Sequence, residues 1–166
     1  MKIICPVWFA ATLALSLPAA AQGTEVSLGG LVHDTSLPVE VTSDSLSVFD
    51  ADGRAEFDGN VLVVQGPMRL TAAKMLVMYE ENGAEGGTQI REMVASGGVT
   101  FVNGPDAAES REATYSPEAG TLVMVGDVLL TQEATAISGA RLTVDLATGT
   151  GVMDGRVRTT FQAGGN

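Results

Sequence analysis

Four copies of one short phrase constrain this chain more than any other feature. Gly59-Asn60-Val61, Gly97-Gly98-Val99, Gly126-Asp127-Val128 and Gly155-Arg156-Val157 share the pattern Gly-x-Val. Their glycines stand 38, 29 and 29 residues apart (59 to 97, 97 to 126, 126 to 155). Each triplet lies between an incoming apolar run and an outgoing one, as in AEFDGNVLVV, MVASGGVTFV and LVMVGDVLLT. Glycine reaches the positive φ that a tight turn or bulge demands, and the β-branched valine restarts a strand. A unit of about 29 residues has room for about four short strands with their turns. One unit cannot bury its own apolar face, so the copies must stack or pair along a common axis. The pattern predicts an elongated, all-β, antiparallel architecture, a sandwich or jelly roll in which every rung resembles the next. An ordinary sandwich with chance Gly-x-Val turns is the plainer alternative, and two equal spacings argue against it.

Local patterning agrees. PVEVTS puts Val39 and Val41 on one face, MRLTA does the same with Met68, Leu70 and Ala72, and RLTVDL with Leu142, Val144 and Leu146. Alternation of period two with Gly, Asn and Asp punctuation reads as strands and turns. No helix of ten or more residues is predicted after the N-terminal segment; the stretch Asp106 to Thr114 fits a polar strand equally well. The first interval exceeds the others by nine residues. That surplus is expected in EENGAEGGTQ (Glu80 to Gln89), as a surface loop.

Residues 1–21 read as a cleaved signal peptide: Lys2, an apolar run from Ile3 to Leu17, and the small-residue pattern Ala19-x-Ala21. The competing reading, a membrane anchor, needs about 20 apolar residues, and this run is shorter. Cys5 lies inside the signal, so lipidation of a first mature cysteine is not expected. The predicted organisation is a signal (1–21), an N-terminal arm (22–37), one β-domain (38–161) and a C-terminal tail (162–166). The mature chain would hold no cysteine, so its stability must come from strand pairing and apolar burial rather than disulfides. Loss of Lys2 turns the formal charge of −11 into −12. An acidic surface repels phosphate backbones, which argues against nucleic acid as a partner.

Candidate chemistry is sparse. His33 is the sole histidine, and neither Ser96 nor Ser138 stands in a nucleophile elbow. DADG (Asp50 to Gly53) lacks the spacing of a calcium loop and reads as a hairpin turn. Glu80-Glu81 reads as solvated, and no zinc set, P-loop or dinucleotide fingerprint is present. Neither a catalytic residue, a metal nor a cofactor is predicted. What remains is apolar surface, including Met68, Met75, Met78, Met93, Met124 and Met153. Methionine adapts to irregular shapes and suits either a core gap or a lipid-facing wall.

From Pro38 to about Phe161 the chain resembles the OstA-like family of periplasmic lipopolysaccharide-transport proteins. The matching phrases are PVEVTSDSLSV, FDGNVLVVQGPMRLTAAKMLV, SGGVTFVNG, ATYSPEAGTLVMVGDVLL and ISGARLTVDLATG. The resemblance implies a twisted β-jelly roll, open at both ends, with an apolar groove that carries the acyl chains of lipopolysaccharide from the inner to the outer membrane. It implies no catalysis. It also implies end-to-end association, either with itself or with an inner-membrane export component (LptC-like) and an outer-membrane assembly protein (LptD-like). By motif, Val39, Val41, Phe101 and Tyr115 are the expected groove contacts. Strand parity adds Val61, Val63, Leu70, Met124, Leu142 and Val144, each of which could equally be core.

Strand edges carry unpaired backbone groups that template strand addition. The expected docking edges are Pro38, Val39, Glu40, Val41 and Thr42 at one end, and Val157, Arg158, Thr159, Thr160 and Phe161 at the other. The rival reading is a periplasmic structural or adhesin-like β-repeat protein that binds no lipid. A glycan-binding sandwich is disfavoured, because solvent-facing aromatics for sugar stacking are few.

Overall fold

A computed structural model describes residues 24–27, 36–82 and 87–161. The predicted signal peptide, His33 and the tail 162–166 lie outside the described residues. Eleven strands form one antiparallel sheet: β1 (Thr24–Ser27), β2 (Glu40–Thr42), β3 (Ser45–Phe49), β4 (Arg54–Gln65), β5 (Met68–Asn82), β6 (Gly87–Asn103), β7 (Asp106–Ser116), β8 (Thr121–Gln132), β9 (Thr135–Asp145), β10 (Thr150–Asp154) and β11 (Arg158–Phe161). From β4 to β9 each strand pairs with the next in sequence, the simplest meander. Among the described residues the sheet does not close: β2 and β3 pair only with β4 at one end, β11 only with β9 and β1 only with β10 at the other. The all-β, antiparallel and open architecture is as expected, with three differences.

First, three of the four Gly-x-Val phrases do not join strands; they bend them. Gly59-Asn60, Gly97-Gly98 and Gly126-Asp127 sit inside β4, β6 and β8, and Gly155-Arg156 lies between β10 and β11. Their φ angles are +80 and +47, +84 and +87, +86 and +52, and +81 and +47. The register shifts at the first three, between Asp58 and Val61, Ser96 and Val99, and Val125 and Val128. Two residues on the glycine strand thus oppose one on its neighbour, which is a β-bulge, and a bulge bends its strand. An added Cβ would stand 2.5 Å from Asp44 at Gly59, 2.6 Å from Ala73 at Gly97, 2.9 Å from Arg111 at Gly126 and 2.5 Å from Ala140 at Gly155. The bulges therefore form one line of corners along the molecule, and the sheet folds over it into two facing layers. The expected four short strands per unit are really two long strands, each bent once.

Second, the nine-residue surplus is not a loop. β5 and β6 have 15 and 17 residues where β7 and β8 have 11 and 12. Four extra in one strand and five in the other account for all nine. Glu80–Asn82 and Gly87–Gln89 are paired strand residues, and 83–86 lie outside the described residues. Third, the N-terminal arm contributes a strand, since Thr24–Ser27 pair with Thr150–Met153 of β10.

Turn chemistry is local and legible. Asp50-Ala51-Asp52 form a 3-10 turn closed by Gly53 at φ +59, joining β3 to β4. Between β9 and β10, Asp145 Oδ1 accepts from the backbone N–H of Ala147 at 2.9 Å and of Thr148 at 3.0 Å. The Thr148 N–H above all holds this carboxyl below the usual carboxylate range. A depressed folded-state pKa adds stability that is present above the unfolded value and vanishes as pH falls through the folded one. Asp145→Ala is expected to melt a few degrees lower at neutral pH. The gap to the parent should close in acid, as measured by thermal melts across a pH series.

Candidate lipid site

The interior is built from rows of side chains that run across the strands, perpendicular to the chain. In one layer Val41, Val63, Leu70, Phe101, Ala108, Leu130, Ile137 and Thr159 are successive register partners. In the other, Leu46, Phe57, Met75, Ala95, Ala113, Met124, Leu142 and Met153 form a second row. With strands about 4.8 Å apart, either row spans on the order of 35 Å. Alternate residues point to one face of a strand, so each row faces the opposite layer and the residues between face solvent. Lys74 pairs with Asp58 at 2.5 Å on that outer face, and Arg111 pairs with Asp127.

Val61, Val63, Leu70, Phe101, Tyr115, Met124, Leu142 and Val144 are all buried, none more than 3% exposed. Val39 and Val41 are half-buried and pack against that core. The ten residues expected to line a groove therefore share one interior. Met68, Met75, Met93 and Met153, expected as core or lipid-facing wall, are buried in the same wall, and sequence reasoning left out Leu122, Leu130 and Ile137, which are buried beside them. Their parity with flanking valines and leucines was the available signal. The interior is closed as well as apolar. Between Val63, Met68, Leu70, Met75, Met93, Ala95, Tyr115 and Leu122 the room left for a water-sized molecule is about 10 Å³, at or below what one water needs.

The other residue missed is Gln65. Position 65 keeps the inward parity of Val61 and Val63, and the glutamine is 1% exposed. Its Oε1 accepts from the Tyr115 hydroxyl at 2.8 Å, and its Nε2 donates to the Leu37 carbonyl at 2.8 Å. Burial raises the Tyr115 pKa, against the opposing effect of the Gln65 bond, so the phenol is neutral and donates. The same rim row continues through Met68, Asn103, Asp106, Gln132 and Thr135 to Phe161. Asn103 is 1% exposed with its Nδ2 unpartnered. Outside this rim, a wider cavity of about 610 Å³ is lined by Leu37, Val39, Gln65, Thr88, Gln89, Ile90, Pro117 and Glu118.

The predicted edges differ in exposure. Pro38, Glu40 and Thr42 are exposed and Val39 and Val41 half-buried; at the far end Val157 is half-buried and Arg158 to Phe161 are exposed. Three large apolar side chains on the terminal strands share the inward parity of the rows yet lie open: Leu46 (53% exposed), Val48 (57%) and Phe161 (74%). A terminal strand has no next rung to cover it.

A sheet folded on a line of bulges, apolar inside and, among the described residues, unpaired at both ends, defines an open β-jelly-roll scaffold. Residues 40–150 match the model of the LptA and LptD N-terminal-domain family of lipopolysaccharide transport proteins. The chain is 31% identical over 147 residues to an uncharacterized protein of Rhizobium meliloti, covering 84% of this chain and 79% of that one. It is 29% identical over 138 residues to the lipopolysaccharide export system protein LptA of Escherichia coli K12, covering 79% and 67%. In fold it resembles crystalline LptH, the LptA-homologous periplasmic component of the lipopolysaccharide transport device of Pseudomonas aeruginosa. That match has a TM-score of 0.68 at 19% identity and covers 78% of this chain and 99% of the other. The chain belongs to the LptA and LptD N-terminal-domain family of lipopolysaccharide transport proteins.

Proposed function

We propose that this protein is a periplasmic bridge component that binds lipopolysaccharide and passes it from the inner towards the outer membrane. Its acyl chains lie between the two layers, against Val39, Val41, Val61, Val63, Leu70, Phe101, Tyr115, Met124, Leu142 and Val144. The observation that carries this reading is the continuity of the inward apolar rows across the strands, ending in exposed Leu46 and Val48 on β3, with Phe161 exposed on the far edge strand. An isolated β-domain would bury such ends; a carrier needs its track to continue into the next subunit. Joining unlike ends is a heterologous contact that propagates into an open filament. Pro38 to Thr42 then pair with an inner-membrane export component, and Val157 to Phe161 with an outer-membrane assembly protein or another copy.

The closed interior requires that lipid part the layers. Five buried methionines, Met68, Met75, Met93, Met124 and Met153, supply walls that can re-pack. Each methylene transferred from water contributes about 0.8 kcal/mol, so an acyl chain offers several kcal/mol against the contacts it displaces. The filled core is also what a lipid-free β-repeat protein would show, and one experiment separates the two. With a photo-crosslinking residue at Phe101, irradiation of cells is expected to yield a lipopolysaccharide adduct, and the same residue at exposed Glu109 none. Absence of adduct at Phe101 and at Met124 alike would leave the structural reading standing.

A further inference from the structure

Resting on that reading, we infer that the Gln65–Tyr115 hydrogen bond is a latch that closes the interior towards the β2 end and must break for an acyl chain to enter. Gln65 comes from the end of β4 in one layer, and Tyr115 from β7 in the other. Their bond, 2.8 Å and buried, joins the two layers. Tyr115 is part of the wall of the 10 Å³ interior void, whereas Gln65 lines the 610 Å³ cavity outside. The pair is thus the partition between a vestibule and the apolar track. Gln65 also holds the carbonyl of Leu37, just before β2, so the latch fastens the segment that leads into the first edge strand.

The chemistry suits a gate. A buried neutral hydrogen bond contributes modestly to the closed state, but its two groups are expensive to leave unpaired in an apolar space. The latch therefore favours a closed, empty interior and excludes water from a track with no other use for it. Tyr115 flanks a void too small for a methylene chain, so occupancy there forces the layers apart and separates the pair. Lipid affinity carries that loss.

The sign of this effect is testable, because removal of the latch destabilises only the empty form. Tyr115→Phe keeps the ring and deletes the hydroxyl. Binding of purified hexa-acylated lipopolysaccharide to the full mature chain is followed by the rate and extent of photo-adduct formation at a crosslinker at Phe101. The variant is expected to bind about fivefold more tightly, mostly through faster loading, the ratio that one neutral hydrogen bond implies. Gln65→Met, which deletes the bonds to Tyr115 and to the Leu37 carbonyl with similar volume, should shift loading in the same direction. Circular dichroism melts confirm that each variant is folded, and lower melting with tighter binding is the signature of the latch. Equal or weaker binding by folded variants, with adduct still formed in the parent, overturns the latch and leaves the carrier reading intact. No adduct in any protein overturns both.

Discussion

Phe101→Ala is expected to lower the free energy of unfolding by about 3–5 kcal/mol, the range for removing an aromatic side chain from a filled core. Phe101 is 2% exposed, in the middle of the inward row between Leu70 on β5 and Ala108 on β7. Its β7 partner is alanine, too small to follow the ring into the space it leaves. Neighbouring strands are fixed by ladders on both sides, so the layers cannot collapse locally, and a cavity remains. Small domains are stable by only about 5–15 kcal/mol, so one substitution removes a large share of the total. Urea unfolding should show a lower midpoint with an unchanged slope. If Phe101 contacts lipid as proposed, lipopolysaccharide should recover part of the lost stability by mass action. An unfolding free energy within about 1 kcal/mol of the parent would mean that the interior is looser than the 10 Å³ void between its walls indicates.

The second large effect concerns the line of corners. Gly97→Ala is expected to cost about 2–4 kcal/mol, whereas Gly98→Ala should cost about 1–2, although the two glycines are adjacent. Both have positive φ, +84 and +87, so both variants bear the left-handed backbone penalty. Only at Gly97 does the new methyl meet a neighbour, 2.6 Å from the Ala73 Cβ; at Gly98 nothing lies within 4 Å. Because Asn60, Asp127 and Arg156 hold the equivalent second position at φ +47, +52 and +47, Gly98→Asn should be the mildest of the three. Chemical denaturation of the three variants orders them. Equal losses at Gly97 and Gly98 would show that backbone strain alone, not strand approach, selects the first glycine.

That asymmetry explains why the repeat was legible at all. The first position is glycine in every copy because a Cβ there would press on a neighbouring segment, whereas at the second position a Cβ on Gly98 would meet nothing within 4 Å. Even so, the sequence pattern fits a turn or a bulge equally well, and the choice lies in pairing. A turn would send the chain back beside itself, but Val61, Val99 and Val128 continue the strand that enters each glycine. The nine-residue surplus misled in the same way. A polar, glycine-rich stretch reads as a loop because nothing local records that two neighbouring strands lengthen together, with Glu80 facing Gln89 across the ladder. The inward positions Val61, Val63, Leu70, Met124, Leu142 and Val144 were visible by parity, which a strand enforces without tertiary help, whereas Phe101 and Tyr115 came from the family motif. Gln65 kept that parity and was passed over, because a glutamine between valine and glycine looks like the start of a turn.

By itself, then, the chain determined its strand content, its antiparallel order, its inward and outward faces and the spacing of its corners. All of these follow from contacts within a few residues or within one hairpin, where side-chain period and backbone sterics act directly. The tertiary structure decided what those pieces amount to. Only when the bulges of successive strands align does the sheet fold into two layers. Only then does Gln65 reach Tyr115, 50 positions away, and only then do the apolar rows meet as a closed interior rather than two exposed faces. Such pairings depend on the summed bend and twist of many strands, which no short stretch of sequence carries.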